Sequence, residues 1–140
     1  PEAPVASARV PYVAATYIDR MDLAYAAADF ALCRAGAMTC AELTAVGLPA
    51  AYVPLPIGNG EQRLNALPIV QRGGGMLVTD ADLTAEWIRD TLLPVLVSID
   101  QVAAMSEAAH ALGRGDADRW LAEAVIKIVG SHARAPRHAR

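Results

Sequence analysis

At 140 residues the chain is long enough to form one domain with a buried core. Its 54% hydrophobic content and 19% charge are too apolar for a disordered segment, and many Ala, Val and Leu with only 5% aromatics suit helices packed on a parallel sheet. A net charge of −3 gives no electrostatic basis for nucleic-acid binding, and no apolar run is long enough to span a bilayer.

Pro1-Glu2-Ala3-Pro4, with no initiator Met, reads as a linker or a cut end, so a piece of a longer chain is expected. Val10 to Tyr17 reads as a short strand with a proline near its start. Met21 to Ala28 reads as a helix with Asp19 or Asp22 near its N-terminus. Phe30 to Cys33 is a buried strand by length and flanks. Met38 to Val46 is a helix, stopped by Gly47 with Pro49 just beyond. Ala50 to Val53 is the next strand, and Pro54 to Gly60 is a loop. Glu61 to Gln71 reads as a helix that Pro68 should kink or end. Three glycines, Gly73 to Gly75, then lead to a last strand, Met76 to Thr79. Such an alternation predicts an α/β fold, a Rossmann-like parallel sheet flanked by helices.

The C-terminal half is helical. Ile88, Leu92, Val95 and Ile99 recur at helical spacing, as do Val102, Met105, Ala109 and Leu112, then Trp120, Ala124 and Ile128. Thr84 and Asp100 are candidate N-caps, Gly113 is a stop, and Pro94 should split or bend the first of these helices. Ser131 to Arg140 reads as a disordered tail after a domain spanning 1–130.

Cys33 and Cys40 read as small buried hydrophobes in a reducing compartment. His110, His132 and His138 lack metal-ligand spacing, so no metal site is expected. The chemistry gathers between Cys33 and Asn65. Gly36 and Ala37 sit where a strand gives way to a helix, and small residues there let a ligand approach unpaired backbone N–H groups. Those donors carry partial positive charge suited to a diphosphate, with Thr39 as a further donor. Glu42, one turn on, could accept from two vicinal ribose hydroxyls. Neither a Walker A loop nor a GxGxxG fingerprint is present. Each residue also has a plainer reading. Thr39-Cys40-Ala41-Glu42 fits a capping box, Arg34 a structural cation at a strand end, Glu61 and Gln62 a solvated helix start, and Asn65 a loop cap. Their occurrence together on adjacent strand-to-helix loops favours a ligand site, because those loops line one edge of an open sheet.

The ordered set Tyr17-Ile18-Asp19-Arg20-Met21, Ala28-Asp29, Cys33-Arg34-Ala35-Gly36-Ala37-Met38-Thr39 with Glu42, Gly47-Leu48-Pro49, Val53-Pro54 and Asn59 to Ala66 resembles the C-terminal part of the MurG family of bacterial glycosyltransferases. The resemblance spans about residues 10 to 130. It implies a two-domain GT-B enzyme whose C-terminal, Rossmann-like domain binds UDP-N-acetylglucosamine. Tyr17 would stack near the uracil, the Ile18 backbone would read its polar edge, and Met21 would pack beside it. Gly36, Ala37, Met38 and Thr39 would meet the diphosphate and sugar, with Arg34 nearby. Glu42 would hold the ribose, and Glu61, Gln62 and Asn65 would address the sugar.

The implied reaction inverts the sugar as it passes to lipid I, giving lipid II for peptidoglycan. It needs no cofactor, and it takes place on the cytoplasmic face of the bacterial membrane, with peripheral attachment. Two departures stand out: Ala35 where many relatives have Ser, and Glu61 where they have glutamine. Glu61 places negative charge near a diphosphate unless Arg63 or Arg34 offsets it. The acceptor domain and the first strand–helix unit of the donor domain are absent from these residues, so no catalytic residue is assigned and the piece alone is expected to be inactive. A donor-binding subunit of a two-part UDP-N-acetylglucosamine transferase and a UDP-N-acetylglucosamine 2-epimerase-like enzyme are the alternatives.

Overall fold

Three strands of three residues each carry the architecture. The computed structural model describes residues 12–133. Strands β1 (Ala31–Cys33), β2 (Ala50–Tyr52) and β3 (Gly75–Leu77) form one parallel sheet in the order β1-β2-β3. Cys33 pairs with Tyr52 and Tyr52 with Leu77, so all three strands end on one edge. Helix α1 (Met21–Ala27) precedes β1, α2 (Ala37–Val46) joins β1 to β2, and α3 (Glu61–Gln71) joins β2 to β3.

These bounds fall within a residue or two of those read from the sequence, with one exception. Residues 12–17, the described part of the expected first strand, form no strand. Tyr12, Val13 and Tyr17 are largely exposed, so no apolar face covers them and no ladder partner holds them extended. Residues 10 and 11 lie outside the described residues.

Helix α2 ends as the sequence predicts. Gly47 takes a left-handed φ of 72°, and Leu48 N–H reaches back to the Leu43 carbonyl at 2.9 Å, closing a Schellman-type stop. Pro68 does not end α3, which runs three residues further to Gln71. Pro68 and Leu64 are both exposed, so water can serve the Leu64 carbonyl that the missing amide leaves free.

After β3, Thr84 caps α4, its side-chain oxygen accepting from Trp87 N–H. This helix runs Ala85–Trp87, widens into a π-helical turn over Ile88–Leu92, and closes over Leu93–Leu96. The wide turn immediately before Pro94 absorbs the ring and the missing N–H that were expected to break the helix. Helix α5 (Ile99–His110) follows at 85°. Its cap is Ser98, not Asp100, which lies in the first turn. Helix α6 (Ala117–Ala133) carries the chain past the expected domain end, and residues 134–140 lie outside the described residues.

The core is built from small side chains. Ala35, Cys40, Leu43, Leu48, Ala50, Tyr52, Ala66 and Ile69 form one cluster, in which Tyr52 and Leu43 are the largest fully buried side chains. Gly75 is required by close approach: a Cβ there would lie 2.7 Å from the Tyr52 ring and 2.8 Å from the Ala50 carbonyl. Both cysteines are free, and burial pushes the Cys40 thiol up to about 11. The Tyr52 hydroxyl is buried with no partner. An unpaired buried hydroxyl costs roughly 1–3 kcal/mol. Tyr52→Phe is therefore expected to keep the ring packing and to leave stability unchanged or raise it by about 1 kcal/mol, read from urea melts; a clear loss would show that the hydroxyl is satisfied in solution.

Candidate functional site

The carboxyl edge of the sheet gathers most of the residues singled out above. Beyond β1 the chain passes Arg34 and buried Ala35 and enters α2 through Gly36. Gly36 is the N-cap, with φ −62° and ψ 148°, and supplies no side-chain cap. The first intrahelical bond is Cys40 N–H to the Gly36 carbonyl at 2.9 Å. The amides of Ala37, Met38 and Thr39 lie ahead of it, where a helix has no acceptors of its own. Any residue could adopt the Gly36 backbone angles, and the nearest atom to a Cβ there is Thr39 Oγ1 at 3.6 Å. Neither the backbone angles nor a close contact demands glycine here, although glycine is a better N-cap than alanine, and the missing side chain leaves the helix start open to approach.

The capping-box reading of Thr39 and Glu42 is overturned. Thr39 is already the third helical residue and Glu42 the sixth, so neither can serve as cap partner. Glu42 instead faces α1, where Tyr25 donates its hydroxyl to Glu42 Oε2 at 2.8 Å. Tyr25 was not singled out in the sequence. Its signal was the four-residue spacing from Met21, which puts both on one face of α1. Tyr17 and Ile18 lie in the irregular segment ahead of α1, open to solvent, with Tyr17 79% exposed. Met38, also exposed, projects from the first turn of α2.

Helix α3 grips the other side of the α2 entrance. Gln62 Oε1 accepts from Ala35 N–H at 3.2 Å and from Leu55 N–H at 3.1 Å. Asn65 Nδ2 donates to the Ala35 carbonyl at 3.1 Å. Because Gln62 meets two donors and Asn65 one acceptor, both amide orientations are fixed. The Gln62 NH2 and the Asn65 oxygen are thus the ends left to meet a ligand. Glu61 is exposed and accepts from Asn59 Nδ2 at 3.0 Å.

Arg34 is partnered as its plainer reading expected. Its Nη1 is ion-paired with Asp80, 46 positions away, and donates to the Val53 carbonyl at 3.3 Å. Asp80 was also missed by sequence reasoning. Its signal was its place just beyond β3, on the same edge.

A cavity of about 310 Å³ opens beside this cluster, lined by Leu55, Ile57, Arg63, Leu77 and Thr79. A larger groove of about 710 Å³ lies by Asp29, Pro49, Leu96 and Ile99, where the strands begin. Ligands of open parallel sheets bind at the opposite end, so size does not identify the site here. Among the described residues, no group of three His, Cys, Asp or Glu side chains could hold a metal.

A parallel sheet, helices carried between successive strands and a glycine-opened helix at the strand ends define a Rossmann-like α/β domain. The chain belongs to the family of the glycosyltransferase family 28 C-terminal domain, whose model matches residues 2–119. It is 65% identical over 119 residues to the UDP-N-acetylglucosamine–N-acetylmuramyl-(pentapeptide) pyrophosphoryl-undecaprenol N-acetylglucosamine transferase of Thermobifida fusca, covering 85% of this chain and 31% of that protein. To the transferase of the same name from Mycolicibacterium smegmatis it is 62% identical, over 84% of this chain and 31% of that protein. The crystal structure of Acinetobacter baumannii MurG matches with a TM-score of 0.72 at 28% identity, covering 79% of this chain and 33% of that one. The chain thus spans about a third of the length of the relatives it matches.

Two outcomes are expected. Gln62→Ala strands the buried Ala35 amide, leaves that of exposed Leu55 to water, and should lower stability by about 2 kcal/mol. Gln62→Glu keeps an oxygen for both and should melt close to the parent, so thermal melts of the pair separate the oxygen's role from that of the NH2. The Tyr25 phenol is pushed up to about 12, chiefly by burial and then by Glu42. Its folded pKa thus exceeds the ordinary value of 10.0. The stabilising neutral form is fully present below about pH 10 and is lost as pH rises toward 12. Denaturant melts between pH 8 and pH 11 should show stability falling above pH 10, less steeply in Tyr25→Phe.

Proposed function

We propose that this chain is the donor-binding part of an inverting transferase that moves N-acetylglucosamine from UDP-N-acetylglucosamine to lipid I. The observation that carries the reading is the α2 entrance. It is a helix start left open by a glycine that neither its backbone angles nor a close contact demands, set between Glu42 and the outward amide of Gln62. The names of its relatives supply the donor and the undecaprenol-linked acceptor.

In this reading the amides of Ala37, Met38 and Thr39 receive the diphosphate, and Glu42 holds the ribose hydroxyls. Tyr17, Ile18 and Met21 flank the uracil. Gln62 and Asn65 address the sugar, with Glu61 beside them. Arg34 adds positive potential at the strand end, reduced by its pairing with Asp80.

The 4-hydroxyl of N-acetylmuramic acid attacks the anomeric carbon, the bond from that carbon to the diphosphate oxygen breaks, and UDP departs with the electron pair. Charge grows on the diphosphate as the bond breaks. Preorganised amides aimed at such charge are worth roughly 2.7–4 kcal/mol each where measured. The proton of the attacking hydroxyl needs a base, which we assign to an acceptor-side domain outside these 140 residues. A lipid-linked acceptor places the reaction at a membrane surface. Following the family resemblance, we assign peripheral attachment on the cytoplasmic face; among the described residues no single helix is long and apolar enough to cross a membrane.

Calorimetric titration of the chain with UDP-N-acetylglucosamine, UDP-glucose and ADP-glucose tests the reading. UDP-N-acetylglucosamine should bind best and ADP-glucose worst; equal or absent binding would overturn it. Gly36→Ala should lower the melting temperature only slightly, because its backbone angles suit alanine although alanine is the poorer N-cap, while weakening UDP binding at least several-fold. The chain alone should release no UDP from donor with or without acceptor, whereas an epimerase would act on donor alone.

A further inference from the structure

We propose that Tyr25 is a positioning residue that holds the Glu42 carboxylate in the orientation that grips the ribose. This rests on the reading of Glu42 given above and extends it to a residue on a different helix. Glu42 lies exposed in the middle of α2, and its neighbours one turn away on that helix are Met38, Thr39, Ala45 and Val46, none of them cationic. Left to itself, such a side chain samples many rotamers.

The bond from Tyr25 arrives from α1, 17 residues earlier in the chain, and engages Oε2 alone. A carboxylate has about four acceptor sites, so Oε1 and the second lone pair of Oε2 stay available to two hydroxyls. The Tyr25 ring packs against the core cluster, which makes its hydroxyl a fixed point. Met21, one turn before it, shares that face of α1, so one helix supports both the base-side contact and the ribose grip. Fixing a rotamer-rich side chain before binding spares about 0.5–1.5 kcal/mol per side chain, or roughly 2- to 12-fold in affinity.

The test compares UDP with 2′,3′-dideoxy-UDP, which lacks both ribose hydroxyls, in the 140-residue chain and its variants Tyr25→Phe and Glu42→Gln. Tyr25→Phe keeps the ring and should melt near the parent temperature at neutral pH. Its UDP affinity should fall about fivefold while its dideoxy-UDP affinity holds, shrinking the ratio of the two. A merely structural role for Tyr25 would weaken both ligands alike. Glu42→Gln should reduce the ratio at least as far. If Glu42→Gln reduces it and Tyr25→Phe does not, the ribose role of Glu42 stands and positioning by Tyr25 fails. If neither variant changes it, or the parent does not bind UDP, the reading of Glu42 fails and the proposal with it.

Discussion

The site depends on how one peptide unit, that of Ala35, is held. Beyond Cys33 the ladder has only the bond from Val53 N–H to the Cys33 carbonyl, at 2.8 Å, before the chains diverge into α2 and α3. From there, side chains replace the ladder. Gln62 takes the Ala35 N–H, Asn65 takes its carbonyl, and the same Gln62 oxygen holds Leu55 in the next loop. Ala35 is fully buried, so neither of its polar groups could turn to water instead. Three bonds from two side chains thus lock two loops and two helix starts together. They also decide which atoms of Gln62 and Asn65 face outward.

A second constraint acts behind the site. The core uses alanine and glycine where many α/β domains use valine and isoleucine, and this brings backbones close. A Cβ on Gly74 would sit 2.8 Å from the Ala109 backbone, and one on Gly113 2.3 Å from the Thr44 carbonyl. Through these contacts α5 and the turn after it press on the β3 entrance and on the end of α2. Ser106 adds a bond of 2.7 Å to the Gly47 carbonyl. The C-terminal end of α2 is therefore clamped by backbone contact, while its N-terminal end carries no side-chain cap. Among the described residues Tyr52 is the one aromatic side chain fully buried.

What the sequence made legible was local. The bounds of helix α3 were readable to the residue, because Gly60, Glu61 and the glycines after Gln71 punctuate it, although Pro68, expected to kink or end it, does not end it. Helix α2 was off by one, because glycine caps through its backbone and leaves no side-chain signature. The capping-box pattern misled for a related reason: Thr-x-x-Glu is a cap only when Thr stands outside the helix, and that depends on where β1 stops. Ser98 displaced Asp100 as a cap by a two-residue shift of the same kind. The first expected strand had the right residues but no described ladder partner. The pairs that define the site, Tyr25 with Glu42 and Arg34 with Asp80, join positions 17 and 46 apart. No periodicity encodes such pairs; helix packing and sheet register create them.

The charge pattern of the edge follows from those pairs. Arg34, the cation nearest the α2 entrance in sequence, is matched by Asp80, and Glu42 and Glu61 stand on either side. An anionic ligand at the α2 entrance would therefore meet neutral backbone donors between two carboxylates, with Arg63 the nearby arginine that lines the adjoining cavity. Such a cradle favours a charge distributed over two phosphates and positioned at the helix axis, and it tolerates little displacement. In the proposed reading, such a cradle would hold a departing diphosphate less tightly than a paired arginine would. Precision in the position of Glu42 then matters more than its charge alone. If Glu42 holds a ribose as proposed, a loose carboxylate would add repulsion without that contact to offset it, and the Tyr25 hydroxyl donated from α1 would limit that freedom.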